Sequence, residues 1–159
     1  MRVIGVSGTD GKTTTVNMIY QILKNAGKKV SMVSTVNAMV AGKSYDTGFH
    51  VTSPDPFMLQ KFAKKAFDSG DEYLVLEVTS HALDQYRFWG VKFNVGIITN
   101  ITHEHLDYHK TYENYLKTKL KLLKNVKFAI INHNLKHFLH SYVGVYNLIT
   151  FGLHKGSFL

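Results

Sequence analysis

The chain has 159 residues, 45% of them apolar, with 19 Lys+Arg against 11 Asp+Glu and no cysteine. That length supports one substantial core and reads as one domain. The absence of thiols excludes disulfides and thiolate metal sites, so a metal is expected to be a hard ion such as magnesium, held by carboxylate, hydroxyl, imidazole or a modified side chain.

The formal charge of +8 comes from lysines spread along the chain, with no basic run interleaved with aromatics. This argues against nucleic acid as a partner and for anionic small substrates. No stretch of about 18 apolar residues and no secretory-signal layout is present, so no membrane partner is expected and the expected location is cytoplasmic.

In chain order, the first expected strand is Arg2 to Ser7, and a helical pattern runs from Thr13 to Ala26, closed by Gly27. Between them lies Gly8-Thr9-Asp10-Gly11-Lys12-Thr13-Thr14. Glycine-rich backbone N–H groups, an open helix N-terminus and one ammonium converge there on a single volume, which suits the polyphosphate of ATP or GTP. The generic phosphate-loop pattern wants a glycine where Val6 stands, so the match is to a variant, Gly-Thr-x-Gly-Lys-Thr. The competing reading is an ordinary strand-to-helix turn with a chance lysine.

A second strand is expected at Lys29 to Thr35, followed by a loop region over 36–54 with room for a short hairpin. A helix over Asp55 to Ser69 is opened by Pro54 and Pro56 and ended by Gly70. Strand Tyr73 to Val78 follows, and within it Glu77 interrupts an otherwise apolar run. A buried carboxylate is costly unless paired or metal-bound, and in a phosphate-loop protein its natural partner is the magnesium that Thr13 also contacts. The alternative is a strand-end Glu facing solvent or a lysine.

The strand Phe93 to Asn100 runs into Asn100-Ile101-Thr102-His103-Glu104-His105-Leu106-Asp107-Tyr108-His109, a cluster able to supply metal ligands or acid and base groups. Zinc hydrolysis is a weak rival, because no His-Glu-x-x-His helix is present. A helix is expected from Tyr112 to Lys124, then strands at Lys127 to Asn132 and Val143 to Phe151. At about 100° per residue, Tyr115, Leu116, Leu120, Leu122 and Leu123 share an apolar arc with Tyr112, and Lys119 falls in its middle, while Lys117, Lys121 and Lys124 lie roughly 120 to 180° away. An ammonium on that face should be paired, neutralised, changed to a carbamate by carbon dioxide, or extended to the helix edge. Geometry alone leaves these open.

The alternation of apolar runs and amphipathic helices predicts an α/β fold with a mostly parallel sheet. With these residues together, the chain resembles the Mur ligase family, which builds the peptide of cell-wall precursors by ATP-driven amide bond formation. Gly8 to Thr14 is similar to that family's phosphate loop, with Asp10 where Asn is usual. Glu77 to Gln85 followed by Arg87, and Asn100 to His109, resemble the branch that adds the third amino acid, and Tyr115 with Lys119 falls on the family's carbamylated lysine.

The resemblance implies a phosphate-loop NTPase-like central domain over 1–159, with a UDP-binding domain preceding Met1 and an acceptor domain following Leu159 in the family. It implies that Gly8, Thr9, Asp10, Gly11, Lys12, Thr13 and Thr14 bind ATP, with Asn132 at the nucleotide. Magnesium would be held by Thr13, Glu77, His105 and Lys119 as carbamate, and Lys12, Glu77, His105 and Lys119 would be catalytic. Thr52, Ser53, Thr79, Gln85 and Arg87 would bind the UDP-muramoyl-dipeptide, whose carboxylate becomes an acyl phosphate captured by an amino acid. Asn132 is followed by His133-Asn134 where the family has x-Asp-Asp. Two other functions fit in outline: a non-catalytic ATP-binding module, and a folylpolyglutamate synthase of the same fold, against which the Ser80 to Gln85 text argues.

Overall fold

The computed structural model describes residues 1–47, 55–102, 106–136, 138 and 147–152. Its centre is an eight-stranded sheet of β1 (Arg2–Ser7), β2 (Val30–Val33), β3 (Asn37–Val40), β4 (Lys43–Asp46), β5 (Tyr73–Glu77), β6 (Val95–Ile98), β7 (Phe128–Asn132) and β8 (Leu148–Phe151), in the order β4-β3-β2-β5-β1-β6-β7-β8. All neighbours from β2 to β8 in that order are parallel, and the β2–β3 and β3–β4 pairs are antiparallel. β1 lies between β5 and β6, so chain segments leave its carboxyl end and theirs side by side. Open sheets of this kind take ligands at that place.

Among the described residues, helices α1 (Lys12–Asn25), α2 (Pro56–Asp68), α3 (Ser80–Asp84), α4 (Leu106–His109) and α5 (Tyr112–Leu120) accompany the sheet. Strand alternation sorts the core. Val6, Met32, Val75 and Ile97 face Val16 and Tyr20 of α1, whereas Val33, Leu74 and Leu76 face Leu59, Phe62 and Ala66 of α2. Ile98, Ala129 and Ile131 meet Tyr115, Leu116 and Leu120 of α5 on the same side as α2. Being covered on both faces is why β1, β5 and β6 read as apolar runs without alternation.

A close approach sets α5 at its height above the sheet. Gly5 of β1 and Gly96 of β6 are register partners. A Cβ at Gly5 would sit 2.7 Å from Leu122, and one at Gly96 would sit 2.8 Å from Leu123. The pair of glycines therefore lets the end of the crossover lie directly on the strands. Gly5 thus serves packing.

Several expected elements differ in extent. The 36–54 loop region contains a real hairpin, β3 and β4, which extends the sheet by antiparallel pairing. The expected helix Tyr112 to Lys124 ends as an α-helix at Leu120 and tightens into a 3₁₀ turn over Lys121–Leu123, which places Leu122 and Leu123 over the two glycines. The short helices α3 and α4 were not expected, since four or five residues carry no periodicity. Strand β8 begins at Leu148, and 141–146 lie outside the described residues. Asp55 caps α2 by accepting from the Phe57 and Met58 amides at 2.9 and 3.1 Å, with Pro56 at the first helical position.

Candidate functional site

The loop between β1 and α1 wraps across the carboxyl end of the sheet. Gly11 stands at the helix N-cap with φ 75°, a left-handed conformation that suits glycine, and it supplies no side chain to cap α1. The first N–H groups of α1 thus lack a side-chain cap, the arrangement that receives anions. The loop's shape is held from outside by the end of β6. The Asn100 carboxamide oxygen accepts from the Thr9 and Asp10 amides at 3.1 and 2.8 Å, and the Thr99 hydroxyl donates to the Asp10 carbonyl at 2.7 Å. A Cβ at Gly8 would lie 1.8 Å from that Thr99 hydroxyl oxygen, so only glycine fits there.

Lys12 folds back over this loop. Its ammonium donates to the carbonyls of Gly8 at 3.1 Å and Thr9 at 2.6 Å. Thr14 and Asp10 are exposed beside it, and Thr9 is buried, its hydroxyl 3.2 Å from that of Tyr115.

Glu77 ends β5 in register with Val6 and is only 4% exposed. The solvent-facing alternative is excluded. Its carboxylate accepts from the Thr13 hydroxyl at 2.9 Å, the Thr35 amide at 3.0 Å and the Thr35 hydroxyl at 3.2 Å. A carboxylate and a hydroxyl side by side make a set of hard oxygen donors, the chemistry a magnesium-sized cation takes.

Lys119 is 1% exposed, while Lys117, Lys121 and Lys124 are exposed, as the helical arc requires. It does not reach the helix edge. Its ammonium lies 4.6 Å from the centroid of the Tyr115 ring and donates to the Gly8 carbonyl, the same oxygen that Lys12 uses. Thr13, Glu77, Lys12 and Lys119 are thereby gathered around one loop.

The remaining expected site residues stand at its margins. Thr79 caps α3 through the Ala82 amide at 3.3 Å, and Gln85 just beyond α3 accepts from Arg87 at 2.9 Å. Asn132, at the end of β7, accepts from the Asn134 amide at 3.0 Å and so caps the turn that follows. Thr52, Ser53 and His105 lie outside the described residues. Among the described residues, no three His, Asp or Glu side chains form a metal-binding group, and no helix is long and apolar enough to cross a membrane.

Tilted ring contacts link α3, α4 and α5: the centroid of the His81 ring is 4.1 Å from that of Tyr108 and 5.8 Å from that of His109, which is 5.2 Å from that of Tyr115. Four contributors to the site had no assigned role in the sequence reading: Thr35, Thr99, Asn100 and the hydroxyl of Tyr115. Each acts on a residue far away in the chain. Asn100 and Thr99 could have been suspected only from their place at the end of a strand next to β1.

Comparison with known proteins gives this geometry a family. The UDP-N-acetylmuramoyl-L-alanyl-D-glutamate–2,6-diaminopimelate ligase of Clostridium botulinum is 40% identical over 158 residues, covering 98% of this chain and 32% of that protein. A solved structure of an enzyme of that name superposes with a TM-score of 0.83 at 24% identity, covering 98% of this chain and 33% of the other. The bifunctional folylpolyglutamate synthase/dihydrofolate synthase of Yersinia pestis, complexed with AMPPNP and a manganese ion, shares the fold at a TM-score of 0.59 and 18% identity, covering 96% of this chain and 43% of the other. The chain spans about a third of the length of the curated relatives it matches. The Mur ligase middle domain model matches residues 6–158, and the chain belongs to that family.

Proposed function

We propose that this chain is the ATP-binding centre of an amide ligase that adds the third amino acid to UDP-N-acetylmuramoyl-L-alanyl-D-glutamate. The observation that carries the reading is the convergence of Thr13, Glu77, Lys12 and Lys119 on the Gly8 to Thr14 loop. The Clostridium botulinum relative is named as a ligase of 2,6-diaminopimelate, which makes that amino acid the expected addition.

In this reading the loop amides and the open end of α1 cradle the β- and γ-phosphates. Lys12 gives up its bonds to the Gly8 and Thr9 carbonyls and turns to the phosphoryl oxygens. Thr13 and Glu77 would hold magnesium, and His105 with Lys119, as a carbamate, would join Glu77 in holding a second ion. Those ions, when bound, offset charge building on the phosphoryl oxygens and on the attacking carboxylate. Thr79, Gln85 and Arg87, with Thr52 and Ser53, orient the UDP-muramoyl-dipeptide so that its terminal carboxylate meets the γ-phosphate in line. The resulting acyl phosphate is then captured by the incoming amine. Asn132 would contact the nucleotide, and Asp10 takes the place of the usual Asn in the loop.

Calorimetry with magnesium-ATP, followed by UDP-muramoyl-Ala-Glu or folate, tests the assignment. Binding of ATP and the muramoyl compound is expected. If folate bound and the muramoyl compound did not, the substrate assignment would be wrong while the nucleotide reading stood; absence of ATP binding would remove both.

A further inference from the structure

Three hydrogen bonds converge on one oxygen of Glu77, its Oε2. One comes from the Thr13 hydroxyl at 2.9 Å, and two come from Thr35, through its amide at 3.0 Å and its hydroxyl at 3.2 Å. The two residues differ in what they can do there. Thr13 stands in the first turn of α1, and its hydroxyl can offer a lone pair to a cation while its hydrogen stays on Glu77. A backbone N–H has no lone pair to offer, so the Thr35 amide can only hold the carboxylate.

Thr35 is itself firmly held. It follows β2, whose Val33 is in register with Leu76, so the chain passes beside Glu77 as it leaves the sheet. The turn into β3 is built on Ser34, which is fully buried. Its hydroxyl accepts from the Val36 and Asn37 amides at 3.2 and 3.1 Å, and its own amide donates to the Asn37 carbonyl at 2.8 Å. Thr47, buried just past β4, donates its hydroxyl to the Thr35 carbonyl at 3.2 Å. The β3–β4 hairpin thereby grips Thr35 by its carbonyl while its N–H and O–H serve Glu77.

We propose that Thr35 is a positioning residue for the magnesium of the nucleotide, fixing the Glu77 carboxylate beside Thr13 so that an arriving cation meets oxygens already in place. Partners that orient a metal ligand raise metal affinity because the ligand need not be ordered at the moment of binding. The role rests on the magnesium reading of Thr13 and Glu77 above and deepens it. It also gives the antiparallel hairpin a part in the site, as the anchor of the residue that anchors Glu77.

Calorimetry of ATP binding in magnesium and in EDTA separates the cation from the nucleotide. Wild type is expected to bind ATP more tightly with magnesium. Thr35→Val keeps the shape and the amide but loses the hydroxyl; it should forfeit about tenfold of that magnesium-dependent gain, with affinity in EDTA unchanged. Thr35→Ser keeps the hydroxyl and should keep the gain. In a Glu77→Gln background Thr35→Val should bring no further loss, because Thr35 acts through that carboxylate. An undiminished gain in Thr35→Val overturns the proposal. So does an equal loss in EDTA and in magnesium, the mark of a merely structural role, and so does a further loss in the Glu77→Gln background, which would mean that the Thr35 hydroxyl meets the cation directly. Should Thr35→Val fail to fold, Thr47→Val carries the same comparison, since it loosens Thr35 and leaves the donors to Glu77 in the chain; an undiminished gain there overturns the proposal. A wild type whose ATP affinity ignores magnesium overturns the magnesium reading itself, and the Thr35 role with it.

Discussion

The phosphate loop and the α5 crossover each bring a lysine to the Gly8 carbonyl, one from four residues away and the other from 111. Lys12 belongs to a contiguous motif, is partly exposed and bonds only nearby carbonyls, which it can exchange for phosphate oxygens. Lys119 is enclosed by the core of α5 and fixed by Tyr115 beneath it, so it cannot turn away. One cation is held ready to move and the other is built in. The first needs only local sequence; the second needs two glycines in neighbouring strands, because without Gly5 and Gly96 the crossover could not come down to the loop.

The contrast can be broken most forcefully at Gly8. Replacing it with Ala places a Cβ on the Thr99 hydroxyl and should lower stability by about 3 kcal/mol or more, read by chemical denaturation, with loss of ATP binding. A stable Gly8→Ala protein would show that the loop tolerates another shape. Next in size, Lys12→Ala should weaken magnesium-ATP binding by about 100-fold in calorimetry while leaving stability near wild type; unchanged affinity would contradict the phosphate role.

On the α5 side, Gly96→Ala should cost about 1–3 kcal/mol, because Leu123 and the Leu122 carbonyl must give way. The same change should reduce carbamate occupancy at Lys119, since α5 is lifted from the loop; a stable variant with normal occupancy would separate the glycine pair from the site. Smallest, and a control remote from both lysines, Asp55→Ala removes the α2 cap and should cost about 1 kcal/mol with ATP affinity unchanged. A fall in affinity there would mean that α2 communicates with the loop.

Much of this is legible in the sequence itself. The phosphate loop reads directly because its parts are adjacent in the chain, and helical spacing alone assigned Lys119 to the buried face of α5. Glu77 could be picked out as a carboxylate in an apolar strand, but whether it faced water or the interior depended on β2 and α1 closing over it, through Thr35 and Thr13. Thr35 and Thr99 carried no pattern of their own, and Asn100 stood in a recognisable motif without a role. Their meaning comes from neighbours across the sheet, and register between strands is a property of pairing, not of any single segment.

Periodicity, glycine placement and one lysine among leucines determined the fold class, the nucleotide loop and the candidates for the metal site, because each is a relation between residues a few positions apart. Only the tertiary structure decided that β1 lies between β5 and β6, that Gly5 and Gly96 stand opposite one another, and that two lysines so far apart meet at one oxygen. Those relations span long stretches of chain, and the packing of α5 against the sheet is the physical agent that brings them together.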